Sequence, residues 1–210
     1  IKNSQYVFDV KTPTETIQNI EFSLPGKHNL MNALMALAMA KTFSLPTEDI
    51  ANALRSFKGI KRRFSYQIKN EKLVYIDDYA HHPTEINAVH QAVRELYPNQ
   101  KVLAIFQPHL FSRTKDFADE FANSLAAFDE VILLDIYPAR EKPIEGVSSR
   151  IIFDKVSIDD KHLSTKDEFI SFIKNQNDIE VVLTVGAGDI DTKINELKTY
   201  LETKKWFMNK

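Results

Sequence analysis

Val102-Leu-Ala-Ile-Phe-Gln-Pro-His109 is an apolar run that ends abruptly in polar, turn-forming chemistry. Two later stretches have the same shape, Val131-Ile-Leu-Leu-Asp135 and Val181-Val-Leu-Thr-Val185, the latter closing on Gly186-Ala-Gly188. Strands with one wet face alternate apolar and polar residues, whereas near-continuous apolar strands belong to a sheet covered on both faces. Helix-patterned segments separate these runs, at 113–128, 149–153, 166–175 and 189–201. Thr165 and Glu168 carry the spacing of a capping box at the third of these helices. Strand and helix in alternation predict an α/β fold, a Rossmann-like, mostly parallel, doubly wound sheet.

Working outward, strand signals at 64–68 and 73–76 and a helix at 84–96 extend the same unit towards the N-terminus. Ahead of them lies a different pattern. Residues 6–10 and 17–22 read as a β-hairpin. A helix of about four turns follows Gly26, with Leu30, Ala33, Leu34, Leu37, Ala38 and Met39 on its inward face. Thr47 is placed to cap a second helix that turns Ala51, Leu54 and Phe57 inward. The short basic stretch Lys58-Gly-Ile-Lys-Arg-Arg63 then marks a boundary, which divides the chain into 1–58, a partial α/β segment, and 59–210, the doubly wound domain. Trp206, Phe207 and Met208 read as a packing tail.

Composition narrows the function. With 27 basic and 29 acidic side chains the formal charge is −2, which offers no basic face to a nucleic-acid duplex or an anionic membrane. Cysteine is absent, which removes disulfides, thiolate metal sites and cysteine nucleophiles, and fits a reducing cytoplasm. No apolar run reaches the ~20 residues of a membrane-spanning helix. The chain opens on Ile1, already in strand register and with no leader, so it is expected to be part of a longer protein.

Open α/β sheets bind ligands beyond the carboxyl ends of their strands, so the residues just after each apolar run are the candidates. They are Asp77-Asp-Tyr-Ala-His-His-Pro83, Gln107-Pro-His109, Asp135 to Arg140, and Gly186 to Asp189. Asp77, Asp78, His81, His82 and His109 have the donor types of a Zn or Mn site, the basis of one reading as a metal-dependent hydrolase. The other reading has Asp78 capping a turn and Pro83 opening a helix. Arg113, four residues after His109 and near a helix start that Ser112 could cap, suits a carboxylate or phosphate, or else pairs with Asp116 or Glu120. His28, Asn29 and Asn32 fall in the first turn of the long helix, where Asn serves as a cap or as an amide that recognises a ligand. Gly186-Ala-Gly188 is an incomplete dinucleotide fingerprint and reads as a tight turn.

Taken in order, GKHNLMNALMALA, GIKRRF, DDYAHHPTEI, FQPHLFSRTKDF, DIYPAREKPIEGVSS and LTVGAGDI resemble the Mur ligase superfamily over residues 24–190. DDYAHHPTEI with FQPHLFSRT is similar to the branch that adds the first amino acid of the peptidoglycan stem. The resemblance implies an ATP-dependent ligase that activates UDP-N-acetylmuramate as an acyl phosphate and couples it to L-alanine. Residues 1–58 would then end the central ATP-binding domain and 59–210 would form the C-terminal domain. The phosphate loop G-T-x-G-K-T, the magnesium ligands and the UDP-sugar domain are expected upstream, so the chain alone is expected to be inactive. Residue by residue, the resemblance implies that His28, Asn29 and Asn32 meet adenine, Arg63 the ATP phosphates and Asp78 the ribose. Tyr79, His81, His109 and Arg113 would form the alanine pocket, with Arg63, His81 and His109 catalytic. Leu110 stands where many members have Arg, which places more of the carboxylate contact on Arg113. A ligase of the same superfamily that recycles whole tripeptides is the alternative within it.

Overall fold

The structure is a computed structural model, and it describes residues 6–173 and 178–203. The 206–208 tail and the end of the 166–175 helix lie outside the described residues. Two sheets form. β1 (Tyr6–Lys11) and β2 (Thr16–Phe22) pair antiparallel as a hairpin. The larger sheet has the order β3-β4-β8-β5-β6-β7, from β3 (Ser65–Lys69), β4 (Val74–Asp78), β5 (Val102–Phe106), β6 (Glu130–Leu134), β7 (Lys161–Ser164) and β8 (Val181–Val185). All its pairings are parallel except β3 with β4. β7 has no strand expectation behind it. Its residues, Lys161-His-Leu-Ser164, are all half-buried, so the apolar run that marks the central strands is absent there.

The helices are α1 (Lys27–Thr42), α2 (Thr47–Ser56), α3 (Pro83–Leu96), α4 (Phe111–Asp116), α5 (Ala118–Leu125), α6 (Arg150–Phe153), α7 (Phe169–Ile173) and α8 (Ile194–Thr203). The strands show why they are apolar throughout. Val102, Ala104 and Phe106 pack with Ile86, Val89, Phe121 and Leu125 of α3 and α5, while Leu103 and Ile105 pack with Phe169, Ile170 and Leu197 of α7 and α8. Alternate side chains of one strand thus feed two cores, and each needs an apolar residue. A third core joins the hairpin to α1 and α2 through Ile20, Phe22, Ala33, Leu37, Ile50 and Leu54.

Several local expectations are corrected. The 113–128 helix is two helices that meet at Phe117, whose φ and ψ are −117° and 24°. The 189–201 helix opens as a 3-10 turn, Asp189–Lys193. Thr47 is inside α2, not its cap; its hydroxyl accepts from Lys41 Nζ at 2.9 Å. On α1 the buried positions are Asn29, Ala33 and Leu37, whereas Ala38 and Met39 face outward beside exposed Met31 and Met35. Ile50 and Leu54 face the α2 core, and Phe57 does not.

One arginine and two aspartates fasten residues 62–64 to the sheet. Asp77 and Asp78 end β4, and successive strand residues face opposite ways. Asp77 accepts from Arg62 Nε at 3.0 Å and from the Thr184 hydroxyl at 2.8 Å, and Arg62 Nη2 donates to the Gly186 carbonyl at 2.7 Å. On the other face, Asp78 accepts from the backbone N–H of Phe64 at 2.7 Å and of Ala80 at 2.8 Å. Gly186 follows β8 with φ of 145°, and a Cβ there would sit 2.7 Å from the Gln107 carbonyl. That position therefore requires glycine.

Arg62→Met is expected to destabilise the chain by about 3 kcal/mol in urea unfolding at neutral pH, because it leaves the Asp77 charge buried without its partner. Burial raises the Asp77 pKa while Arg62 and Thr184 lower it. The cost should therefore shrink as pH falls and the carboxyl protonates. A cost that stays the same at acid pH would count against the ion pair as its source.

Candidate active site

Two groups of side chains meet beside the carboxyl end of β4. The first lines a cavity of about 1080 Å³ between the α1–α2 unit and α3. His28, Asn29 and Asn32 enter it from α1, Arg63 from the segment before β3, Asp78 from β4, and Thr84 and Glu85 from α3. Leu24, Leu37, Leu45, Ile50 and Phe57 give it an apolar wall. The entry of α1 is set by Gly26, whose φ is 91° and whose missing Cβ leaves room for the Ala92 side chain of α3.

All five residues expected on the nucleotide side share this cavity. Their states differ. Asn29 is buried and donates from Nδ2 to the Pro25 carbonyl at 2.7 Å, so it fastens the helix start and keeps its oxygen for other use. Asn32 is exposed. Burial and then the Arg63 charge lower the His28 pKa against the pull of Glu85, and this lowering favours its neutral ring. Arg63 lies with its guanidinium 5.6 Å from the Tyr79 ring centre and 3.6 Å from Glu85 Oε1. Asp78 is almost fully buried with both oxygens engaged. Burial pushes its pKa up to about 6 against the pull of the Phe64 and Ala80 N–H groups.

The second group is aromatic and basic. The rings of Tyr79 and His81 are 5.3 Å apart, those of His81 and His109 6.0 Å, and those of His109 and Tyr137 5.7 Å and stacked. His81 Nδ1 is 2.9 Å from the Tyr79 carbonyl; a carbonyl only accepts, so Nδ1 is the donor in that bond. Arg113 Nη1 is 3.4 Å from His109 Nδ1, and Arg113 pairs with no carboxylate among the described residues, neither Asp116 nor Glu120. Burial, then Arg113, then His81, hold the His109 pKa below its ordinary value. Ser112 does not cap α4. Its N–H and hydroxyl both donate to Glu141, which draws the loop after β6 over the group. Leu110, the departure from the family pattern, begins α4 with φ of 74°, and its N–H donates to the Tyr137 carbonyl at 2.9 Å.

The metal reading is corrected by this geometry. Asp77 is turned to Arg62 and Thr184, and His82 accepts from Thr84 N as the cap of α3, its ring 4.8 Å from Phe117. The carboxylates and imidazoles do not converge, and no cluster of metal-binding side chains occurs among the described residues. Arg62, Glu85, Tyr137 and Glu141 were not expected. Tyr137 and Glu141 lie in and just beyond a stretch the strand-end rule already marks. Glu85 completes a capping box whose first member is His82, a residue outside the usual Ser, Thr, Asp and Asn.

A doubly wound sheet with these groups at its strand ends defines a Rossmann-like α/β ligand-binding domain. Residues 62–188 match the Mur ligase glutamate ligase domain, and the chain belongs to the Mur ligase family. It is 65% identical over 204 residues to the UDP-N-acetylmuramate–L-alanine ligase of Flavobacterium psychrophilum, covering 97% of this chain and 45% of that protein. The protein of the same description from Phocaeicola vulgatus is 44% identical, again over 97% of this chain and 44% of its own length. The chain thus spans under half the length of these relatives. Among solved structures, the UDP-N-acetylmuramate-alanine ligase of Thermotoga maritima superposes with a TM-score of 0.73 at 29% identity, covering 88% of this chain and 40% of that one.

His109 should titrate in two-dimensional NMR below the ordinary histidine midpoint of 6.5, and Arg113→Ala should raise that midpoint, since the guanidinium opposes the imidazolium. An unchanged midpoint would show that the two side chains do not interact.

Proposed function

We propose that this chain is the nucleotide-closing and amino-acid-binding part of an ATP-dependent ligase that joins L-alanine to UDP-N-acetylmuramate in peptidoglycan precursor synthesis. Residues 1–58 end its ATP-binding domain and 59–210 form its C-terminal domain. The observation that carries this reading is the junction itself: a cavity holding His28, Asn29, Asn32 and Arg63 abuts the Tyr79–His81–His109–Arg113 group, with Arg63 against Tyr79. Nearly half the length of the named ligases aligns with this chain at high identity, which supports the same choice.

In this reaction a muramoyl carboxylate oxygen takes the γ-phosphoryl group of ATP, and ADP leaves. The amine of L-alanine attacks the acyl carbon, the bond to the phosphate oxygen breaks, and inorganic phosphate departs. His28, Asn29 and Asn32 receive adenine, whose edge an amide matches with both donor and acceptor. Asp78 stands at the ribose, and Arg63 meets the phosphates, as a point of charge stabilisation. Magnesium, were it bound with the phosphates, would add to the charge stabilisation that Arg63 supplies. Arg113 grips the alanine carboxylate and Tyr79 walls the pocket. His109, whose pKa burial and then Arg113 and His81 lower, stands ready to take the proton of the alanine ammonium, with His81 beside it. These substrates place the enzyme in the bacterial cytoplasm, and no helix among the described residues is long and apolar enough to cross a membrane.

In the full-length enzyme, Arg113→Ala should raise the KM for L-alanine about 10–100-fold while the KM for ATP stays near wild type, as loss of a charge-assisted carboxylate contact requires. Phosphate release measured against L-alanine and against tripeptide separates this reading from the tripeptide-recycling ligase. An unchanged KM for L-alanine would overturn the Arg113 assignment.

A further inference from the structure

Glu85 is the one carboxylate among the described residues that touches both groups of the site. From the first turn of α3 its Oε2 accepts from the backbone N–H of His81 at 2.9 Å and of His82 at 3.2 Å, and lies 3.3 Å from His81 Nδ1. Its Oε1 is 3.6 Å from Arg63 Nη1. Glu85 also lines the cavity that holds His28, Asn29 and Arg63, whereas the His81 ring turns to His109 on the amino-acid side.

A capping box needs only one acceptor oxygen, which Gln supplies as well as Glu. Here the second oxygen faces a guanidinium across the cavity wall, so the charge has a use that capping does not explain. The Arg63, His81 and His82 contacts together hold the Glu85 pKa below the usual carboxylate range in spite of its burial. Arg63 is the residue that the ligase reading assigns to the nucleotide phosphates.

We propose that Glu85 is a positioning residue that couples the nucleotide half of the site to the amino-acid half, sharing its charge between Arg63 and His81. Without nucleotide, Arg63 neutralises part of that charge. Phosphate competes for the guanidinium, and the carboxylate then acts more fully on His81, holding its ring beside the incoming amine. ATP binding would thereby ready the amine side for proton transfer. The inference rests on the ligase reading for the identity of the two substrates, but the link itself is a property of the three side chains. His81 is faced by Glu85 from α3, by His109 from the loop after β5 and by Tyr79 within its own loop.

In the full-length enzyme, Glu85→Gln keeps the cap and removes the charge. It should leave the melting temperature near wild type and lower kcat about tenfold with both KM values within about threefold, the pattern of an interaction used after binding. Wild-type kinetics in Glu85→Gln, or a loss that only tracks the folded fraction, would overturn the proposal. If the wild-type enzyme releases no phosphate with L-alanine, the ligase reading fails, and the link is then read in this 210-residue chain without substrates. There Glu85→Gln and Arg63→Ala should each shift the His81 ring resonances in two-dimensional NMR at fixed pH. Resonances that move in neither variant would overturn the link independently.

Discussion

Everything at the site hangs from the two carboxylates that end β4. The pleat sends Asp77 and Asp78 to opposite faces of the sheet, and each takes hold of a different part of the segment before β3. Asp77 fixes the Arg62 side chain and, through it, the turn after β8; Asp78 fixes the Phe64 backbone and the turn that carries Tyr79. Arg62 and Phe64 both sit at positive φ, 60° and 47°, a backbone state that costs an L-residue energy and must be held by contacts of this kind. Arg63, between them, is thereby left pointing over the Tyr79 ring towards the cavity. The adjacency that looked like paired metal ligands is a clamp with one jaw on each face.

That clamp also explains how one chain presents two kinds of chemistry side by side. The cavity is mostly aliphatic, with a few polar groups at its β4 end, as suits a flat, partly apolar ligand. The neighbouring group is aromatic and basic, and its cation, Arg113, has an imidazole instead of a carboxylate as its partner. The near-zero net charge of the chain is consistent with this arrangement, because the cationic groups of the site are single placed side chains and not a general basic field.

Much of this was legible in the sequence because its physical cause is local or periodic. Runs such as Val102–Phe106 announce a sheet buried on both faces, since only apolar residues can serve two cores. The strand-end rule then led to His81 and His109, and the four-residue spacing from His109 led to Arg113; the three do come together. β7 stayed hidden because an edge strand with half-buried residues carries no apolar run. The break at Phe117 and the outward Met39 were missed because periodicity reports that a face exists and not where its partner lies.

By itself the sequence determined the fold class, the order of the central strands and the residue types available at their ends, since these follow from hydrophobic period and turn chemistry along the chain. Only the tertiary structure decided what those residues do. β8 enters the sheet between β4 and β5, and this insertion brings Thr184 and Gly186 to Asp77 and Arg62, more than a hundred residues apart in sequence. The same packing makes Asp77 and Asp78 a clamp, His82 a cap and Glu85 a bridge. Those roles depend on distances between segments remote in the chain, which no local pattern encodes.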